Sequence, residues 1–379
     1  MSTQVVVSAI GESGATRAPL RISGRSSWLD AGRPVHATKT LSLRDDAGVV
    51  SYVPGDLTLT VRAGSTLADI EQVTREHDQW LPLDPYGSNE GTIGATMATA
   101  SAGPLASSFG LPRDLLLGIE FVNGRGEVVR GGGKVVKNVA GFDLSRLLTG
   151  SWGTLGVITE VTLRLYARPI ANRTFVISLK GTGGQTRALA EAALASLSPY
   201  ALMFVGVSAA RALGLGDHPA CLVRFGGNEA VVAAQLSALS QIARPEEAES
   251  GIWTELRGLD GNADSVVRIS FLPAQFFANS AEILSDDIPG IYTCIDPRRG
   301  VARVVVDANQ KGDDGATPAM GSDGFVADGG ASSTVVFEKL PSAEVWAKAS
   351  PSVVADPLSR GIKKAYDPHN ILNPGILGD

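Results

Sequence analysis

The chain has 379 residues, 44% hydrophobic and 19% charged, which is enough to bury a sizeable core and to fold as two domains of ordinary size. A net charge of -6 with scattered Lys and Arg argues against the basic footprint of a nucleic-acid binder or a membrane-surface patch. The two cysteines, Cys221 and Cys294, lie far apart in no CxxC, so they supply neither a zinc site nor an iron–sulfur cluster and read as small buried hydrophobes. The N-terminus has no basic stretch leading into a long apolar one, and nowhere do about 18 apolar residues run uninterrupted, so a cytoplasmic protein is expected.

In chain order, the first segment alternates short strands with turns. A strand over 20–22 runs into the polar loop Ser23-Gly24-Arg25-Ser26-Ser27, and another over 49–53 stops at Pro54-Gly55-Asp56. Residues 57–61 alternate with period two and predict a strand. After the break at Gly64-Ser65, an N-cap signature opens a helix whose spacing runs through His77.

The stretch 85–168 is the most informative. Its core, Gly91-Thr92-Ile93-Gly94-Ala95-Thr96-Met97-Ala98-Thr99-Ala100-Ser101-Ala102-Gly103, holds no side chain larger than methionine. This predicts a cradle for a large flat ligand, with bulk removed where the ligand sits and backbone N–H groups presented to it. A strand over 116–123, a Gly124-Arg125-Gly126 hairpin turn, a strand over 127–130 and an alternating strand over 154–165 follow. Arg168-Pro169 reads as a domain boundary.

Beyond it, a strand (175–179), a helix (185–197), two strands (202–207, 221–225), a helix (230–242) and a similar round over 266–306 predict an antiparallel sheet backed by helices. Residues 307–332, rich in Gly, Asp and Ala without apolar periodicity, read as a flexible loop. A strand over 334–338 and a short helix over 358–365 precede the tail.

Four segments occur in a telling order: Gly110-Leu111-Pro112-Arg113-Asp114; Lys137-Asn138-Val139-Ala140-Gly141-Phe142-Asp143-Leu144-Ser145-Arg146-Leu147; Gly150-Ser151-Trp152-Gly153-Thr154-Leu155-Gly156-Val157-Ile158-Thr159-Glu160; and Tyr366-Asp367-Pro368-His369-Asn370-Ile371-Leu372-Asn373-Pro374-Gly375. Through them the chain resembles the vanillyl-alcohol-oxidase-type (PCMH-type) FAD-binding family, and within it the FAD-binding subunits of bacterial glycolate oxidases. The likeness spans residues 17–170 and the tail, and is weak over the middle. It implies an α+β fold: a two-lobed PCMH-type FAD-binding domain over 1–170, a smaller antiparallel-sheet cap domain over 171–350 with the loop 307–332, and a segment over 351–379 returning to the FAD domain.

The resemblance also implies how FAD is held. Ser23, Gly24, Arg25, Ser26 and Ser27 match the first phosphate loop, where amides around Gly24 form an anion nest and Ser26 and Ser27 add hydroxyl donors. Thr92, Ile93, Gly94, Ala98, Ser101 and Gly103 match the segment beneath the flavin and diphosphate. Phe109, Gly110, Arg113 and Asp114 fall in the next loop, Gly156 and Ile158 on the strand at the adenine end, and Asn373 near the flavin ring. Covalent relatives place a histidine in or beside the first loop; here Gly24, Arg25 and Ser26 stand there and His36 is too far along, so FAD is expected to be non-covalent. Asp143 and Arg146 read as a structural pair or cap.

Oxidising a 2-hydroxy acid takes a hydride acceptor, a base and a cation or metal for the carboxylate. D-lactate and D-2-hydroxyglutarate dehydrogenases carry a His-rich metal motif with Gly-Asp-Gly-Asn that this sequence lacks, and its four histidines show no ligand spacing, so no metal is expected. His77, His218 and His369 read as solvated. Arg224 and Arg268 lie on predicted cap strands, and Arg268 is the candidate catalytic residue, as carboxylate anchor; no base is identified. The resemblance thus implies an FAD-binding subunit of a glycolate oxidase complex, working beside a larger catalytic FAD subunit and an iron–sulfur subunit in oxidation of glycolate to glyoxylate, peripheral to the inner membrane through those partners. The alternatives are a self-sufficient FAD-dependent 2-hydroxy acid dehydrogenase and a non-catalytic scaffold stabilised by FAD.

Overall fold

The computed structural model describes residues 3–133, 143–180, 183–272, 284, 287–309, 334–349, 354 and 356–378. The motif residues 137–142 and loop residues 310–332 lie outside them. The chain divides into two compact units, Met1–Arg168 with Ser342–Asp379, and Pro169–Pro341.

The first unit opens on a helix that the sequence reading missed, α1 (Thr3–Thr16), which buries Val6, Ile10 and Ser13 along one stripe. Burying the two aliphatic side chains contributes roughly 1.5–3 kcal/mol each. Strands β1 (Leu20–Ser23) and β2 (Lys39–Ser42) pair in parallel. Strands β3 (Val49–Val53) and β4 (Thr58–Arg62) lead to helix α2 (Leu67–Arg75), which is capped by Thr66: Asp69 N–H donates to Thr66 Oγ1 and Thr66 N–H to the Asp69 carboxylate. That reciprocal pair satisfies donors that the first helical turn otherwise leaves open.

Strand β5 (Gln79–Trp80) precedes the stretch read as a glycine cradle, and there the structure places a helix, α3 (Ile93–Thr99), with Thr92 at its N-cap and Ala100 left-handed at its end. Short helices α4 (Ala106–Phe109) and α5 (Pro112–Leu115) run into β6 (Leu116–Val122), which turns at Asn123 into β7 (Val128–Gly132). The Asn123 side chain accepts from the amides of Arg125 and Glu127 and so shapes that hairpin. After α6 (Leu144–Leu148) come β8 (Val157–Arg164) and β9 (Tyr166–Ala167). The central sheet is antiparallel in the order β3-β4-β8-β6-β7, and its core joins Leu59, Phe121, Val161 and Leu163 to Ile93 and Met97 of α3 and to Ile371 and Leu372 of the tail.

The second unit is built on an antiparallel sheet in which β10 (Ala171–Ser178), β11 (Ala201–Val205), β12 (Ala220–Gly227), β13 (Glu246–Ala248), β14 (Ala263–Ser270), β15 (Ile291–Asp296), β16 (Val301–Asp307) and β17 (Thr334–Lys339) lie in the order β13-β10-β12-β11-β15-β16-β14-β17. Helices α7 (Gly183–Ala195) and α9 (Glu229–Ser240) give Leu189, Val232 and Leu239 to a core with Phe175, Phe204, Val223 and Ile295 on one sheet face. Two short helices were missed: α8 (Val207–Ala212), which begins where the strand over 202–207 was expected to end, and α10 (Ile252–Gly258), whose Trp253 indole donates to Thr174 Oγ1 at 2.9 Å. Cys221 and Cys294 are buried and unbridged, and burial pushes their thiols up, Cys294 to about 12. The first unit resumes with α11 (Ala343–Lys348) and α12 (Pro357–Tyr366).

Candidate functional site

The first loop and the α3 segment meet. A Cβ on Gly24 would overlap Thr92 Oγ1 and lie 3.1 Å from Thr92 Cγ2, so the turn after β1 sits directly on the cap of α3. Arg25 is exposed and pairs with Glu90 at 2.5 Å, a second tie between the same two segments. Ser26 is left-handed at φ 63°, and among the described residues no backbone hydrogen bond engages the amides of Gly24, Ser26 and Ser27. Exposed, unengaged amides around a left-handed residue have the form of an anion nest.

At α3 the structure corrects the expected reason for the glycines. The Ile93 and Gly94 amides donate to the carbonyls of Ser65 and Ala63, both at 2.9 Å, and Ala95 N–H to Thr92 Oγ1 at 3.4 Å, so these donors are spent within the protein. A Cβ on Gly94 would stand 2.7 Å from Ala63 Cβ, and one on Gly103 would overlap the Asp84 carbonyl oxygen. Bulk is absent there because two stretches of chain approach each other. Of the small residues here Ala95 is exposed, and Ala98 and Ser101 are half-buried, Ala98 packing against the core.

The remaining predicted positions divide between packing and support. Phe109 is clasped edge-on by Trp80 and Tyr166, at 5.4 and 5.3 Å between ring centres. Asp114 accepts from Leu111 N–H across the turn that begins at Gly110 (φ 92°), and Arg113 is exposed beside it. Gly156 packs on the Phe121 ring and Ile158 is buried in the core. Asp143 caps α6 through Arg146 N–H and pairs with the Arg146 side chain at 3.2 Å, the structural role read from the sequence.

Asn373 is the staple of the region. Buried and left-handed at φ 43°, it accepts from Ile22 N–H at 2.7 Å and donates from Nδ2 to the Trp152 carbonyl at 2.7 Å, while its own amide donates to Leu20. It thereby ties β1 to the 150–154 turn, whose Gly150 and Trp152 amides donate to the Met97 and Ala98 carbonyls of α3. The phosphate-loop candidates, α3, the 150–154 turn and the tail thus form one site.

Three polar groups at this site are buried without a hydrogen-bond partner: Ser23 Oγ, Trp28 Nε1 and Ser151 Oγ. An unmet buried donor costs about 1–3 kcal/mol, so three of them, two on the segment after β1 and one in the 150–154 turn, call for an acceptor-rich ligand. Arg21, on the same strand, donates to the Leu29 carbonyl; burial holds its guanidinium below the ordinary value, with Asp30 acting in the opposite sense. The cation and the unmet donors fit the anionic diphosphate of FAD. Sequence reasoning missed Trp28 and Ser151 because neither belongs to a phosphate-loop pattern.

In the second unit Arg268 is not a free guanidinium. Its Nε donates to Glu338 at 3.0 Å and Nη1 to Ser270 at 3.3 Å, while Glu338 is also held by buried Arg303, which pairs in turn with buried Asp260. Burial would raise the Glu338 carboxyl, but Arg303 and Arg268 outweigh it and leave it below the usual range. Arg224 donates to Asn172. His218 and His369 are exposed, and His77 stands edge-on to Tyr52 at 5.1 Å. Among the described residues no three His, Cys, Asp or Glu side chains are placed to hold a metal ion, and no helix is long and apolar enough to cross a membrane.

The model of an FAD binding domain matches residues 1–132. Glycolate oxidase subunit GlcE of Escherichia coli (strain K12) is 34% identical over 257 residues, covering 67% of this chain and 68% of that protein. D-2-hydroxyglutarate dehydrogenase of Xanthomonas citri pv. viticola is 28% identical over 93% of this chain and 82% of its own length, and glycolate oxidase subunit GlcD of Bacillus subtilis is 32% identical over 50% of this chain and 40% of its own. Among solved structures, p-cresol methylhydroxylase superposes with a TM-score of 0.72 over the whole of this chain and 87% of its own, at 14% identity, and alkyldihydroxyacetonephosphate synthase with 0.67 over 97% and 74%, at 16%. Fold and matched domain together define an FAD-binding oxidoreductase. More particularly, the chain belongs to the PCMH-type FAD-binding family that includes the glycolate oxidase subunits GlcE and GlcD.

Proposed function

We propose that the chain is the FAD-binding subunit of a glycolate oxidase complex, in which a larger catalytic FAD subunit and an iron–sulfur subunit are its partners and glycolate is oxidised to glyoxylate. The observation that carries this reading is the 34% identity to GlcE, which spans two thirds of both chains. When bound, FAD supplies a two-electron acceptor. The chain's own residues do the holding: the amides of Gly24, Ser26 and Ser27 meet the diphosphate, Arg25 with Glu90 fixes their loop, and Asn373 clamps β1 to the 150–154 turn. Thr92, Ile93 and Gly94 set the loop's seat, Ala98 and Ser101 leave room for the cofactor, and Phe109, Gly110, Arg113, Asp114, Gly103, Gly156 and Ile158 frame it. With Gly24, Arg25 and Ser26 in the first loop, the cofactor is held non-covalently. The complex associates with the membrane through its partners.

A second reading, a self-sufficient 2-hydroxy acid dehydrogenase, is favoured by the 28% identity to D-2-hydroxyglutarate dehydrogenase over 93% of this chain; in it Arg268 would anchor the substrate carboxylate through the part of its guanidinium that Glu338 and Ser270 leave open. Co-expression with candidate partners separates the two. The complex reading expects co-purification and glycolate-dependent reduction of an artificial acceptor by the assembly alone. Turnover by the isolated chain that Arg268→Gln abolishes would establish the second reading instead.

A further inference from the structure

Trp28 and Trp152 form a tilted ring pair, 6.1 Å between centres and 33° between planes. Trp152 is left-handed at φ 54°, with its amide bonded to Ala98 and its carbonyl held by Asn373, so its backbone has nothing left to give. Beside it the Ser151 hydroxyl is buried and unmet; across the pair so is the Trp28 indole N–H; and one residue beyond Ile22, which Asn373 also grips, so is the Ser23 hydroxyl. The pair is closely backed: a Cβ on Gly32 would lie 3.1 Å from Trp152 Cζ3. The first-turn amides of α3 are spent within the protein, so the unmet donors at this point come from side chains.

We propose that Trp28 and Ser151, with Ser23, are donors to the FAD diphosphate, and that the Trp28–Trp152 pair exists to hold the indole N–H at that position. The inference rests on the placement of FAD at this site. It carries a thermodynamic signature that a packing role does not: Ser151→Ala deletes a donor with no partner in the protein, so the FAD-free chain loses nothing by it, while Trp28→Phe deletes the other donor and gives up only part of the ring contact with Trp152.

The test uses the full chain, stripped of FAD, titrated with FAD and separately with ADP, together with melting temperatures in the presence and absence of FAD. Each variant is expected to bind FAD and ADP more weakly by the same factor, roughly 5- to 30-fold, or about 1–2 kcal/mol at 25 °C. The FAD-free melting temperature of Ser151→Ala stays level or rises and that of Trp28→Phe falls slightly, while in both the gain on adding FAD shrinks. Wild-type affinity in both variants overturns the proposal and leaves the placement of FAD standing. So does weakened FAD binding with unchanged ADP binding, which would turn the donors toward the flavin half, or an FAD-free melting temperature that falls as far as the FAD-loaded one. A wild-type chain that binds neither ligand would overturn the placement as well.

Discussion

Asp296 shows how one buried carboxyl makes stability depend on pH. It is buried at the end of β15, its Oδ1 accepts from the amides of Arg298 and Arg299, and its Oδ2 has no partner. Burial pushes its pKa up to about 6, with the two arginines opposing. The folded state therefore holds a proton that the unfolded chain, titrating near 3.8, has already lost. Stability from this group is present below about pH 4, falls as pH rises to about 6 and is level above, a change of about 3 kcal/mol. Asp296→Asn is expected to remove that slope from urea midpoints measured between pH 4 and 7; an unchanged slope would place it on other groups. Nothing in the sequence marked Asp296, since the pattern of an alternating strand does not show which inward positions lack a partner.

At the scale of elements, the tail shows what was legible and what was not. Its motif was visible, and so was Asn373, but not the two bonds that the side chain makes to a strand and a turn more than 200 residues away. Asn373→Ala leaves the Ile22 amide and the Trp152 carbonyl without partners and is expected to cost about 2–4 kcal/mol, read as a lower urea midpoint at unchanged slope, with weaker FAD retention. Equal stability would mean that the tail is held by Ile371 and Leu372 alone. The longer strands were read well because period-two alternation is local, whereas the short β2, β5, β9 and β13, of two to four residues, were not read. Helix α3 was missed as a helix because the helix preference of Ala and Met is offset by Gly, Thr and Ile over a segment of only seven residues, and its start is fixed by the Ala63 and Ser65 carbonyls that receive its first amides. Helix α1 was missed because its sparse stripe, Val6 and Ile10, gains meaning only against the sheet.

For the whole molecule, the sequence told more of the cofactor than of the chemistry. Its four ordered motifs led to the FAD-binding family, and the structure ties two of them, the 150–154 turn and the tail, to the strand that carries the first loop; the 110–114 turn packs elsewhere on the same unit, and the 137–147 motif is described only from residue 143. The candidate catalytic residue was the least legible: Arg268 stood out as a strand arginine, while its partners Glu338 and, through it, Arg303 and Asp260 come from other strands and turns. The chain carries FAD, and in the proposed function it depends on partners for oxidation of glycolate. The most direct test is the visible absorption of the FAD-loaded chain under anaerobic glycolate, first alone and then with the partner subunits added. The account predicts an unmoved flavin spectrum in the first case and bleaching in the second; bleaching of the isolated chain would contradict it.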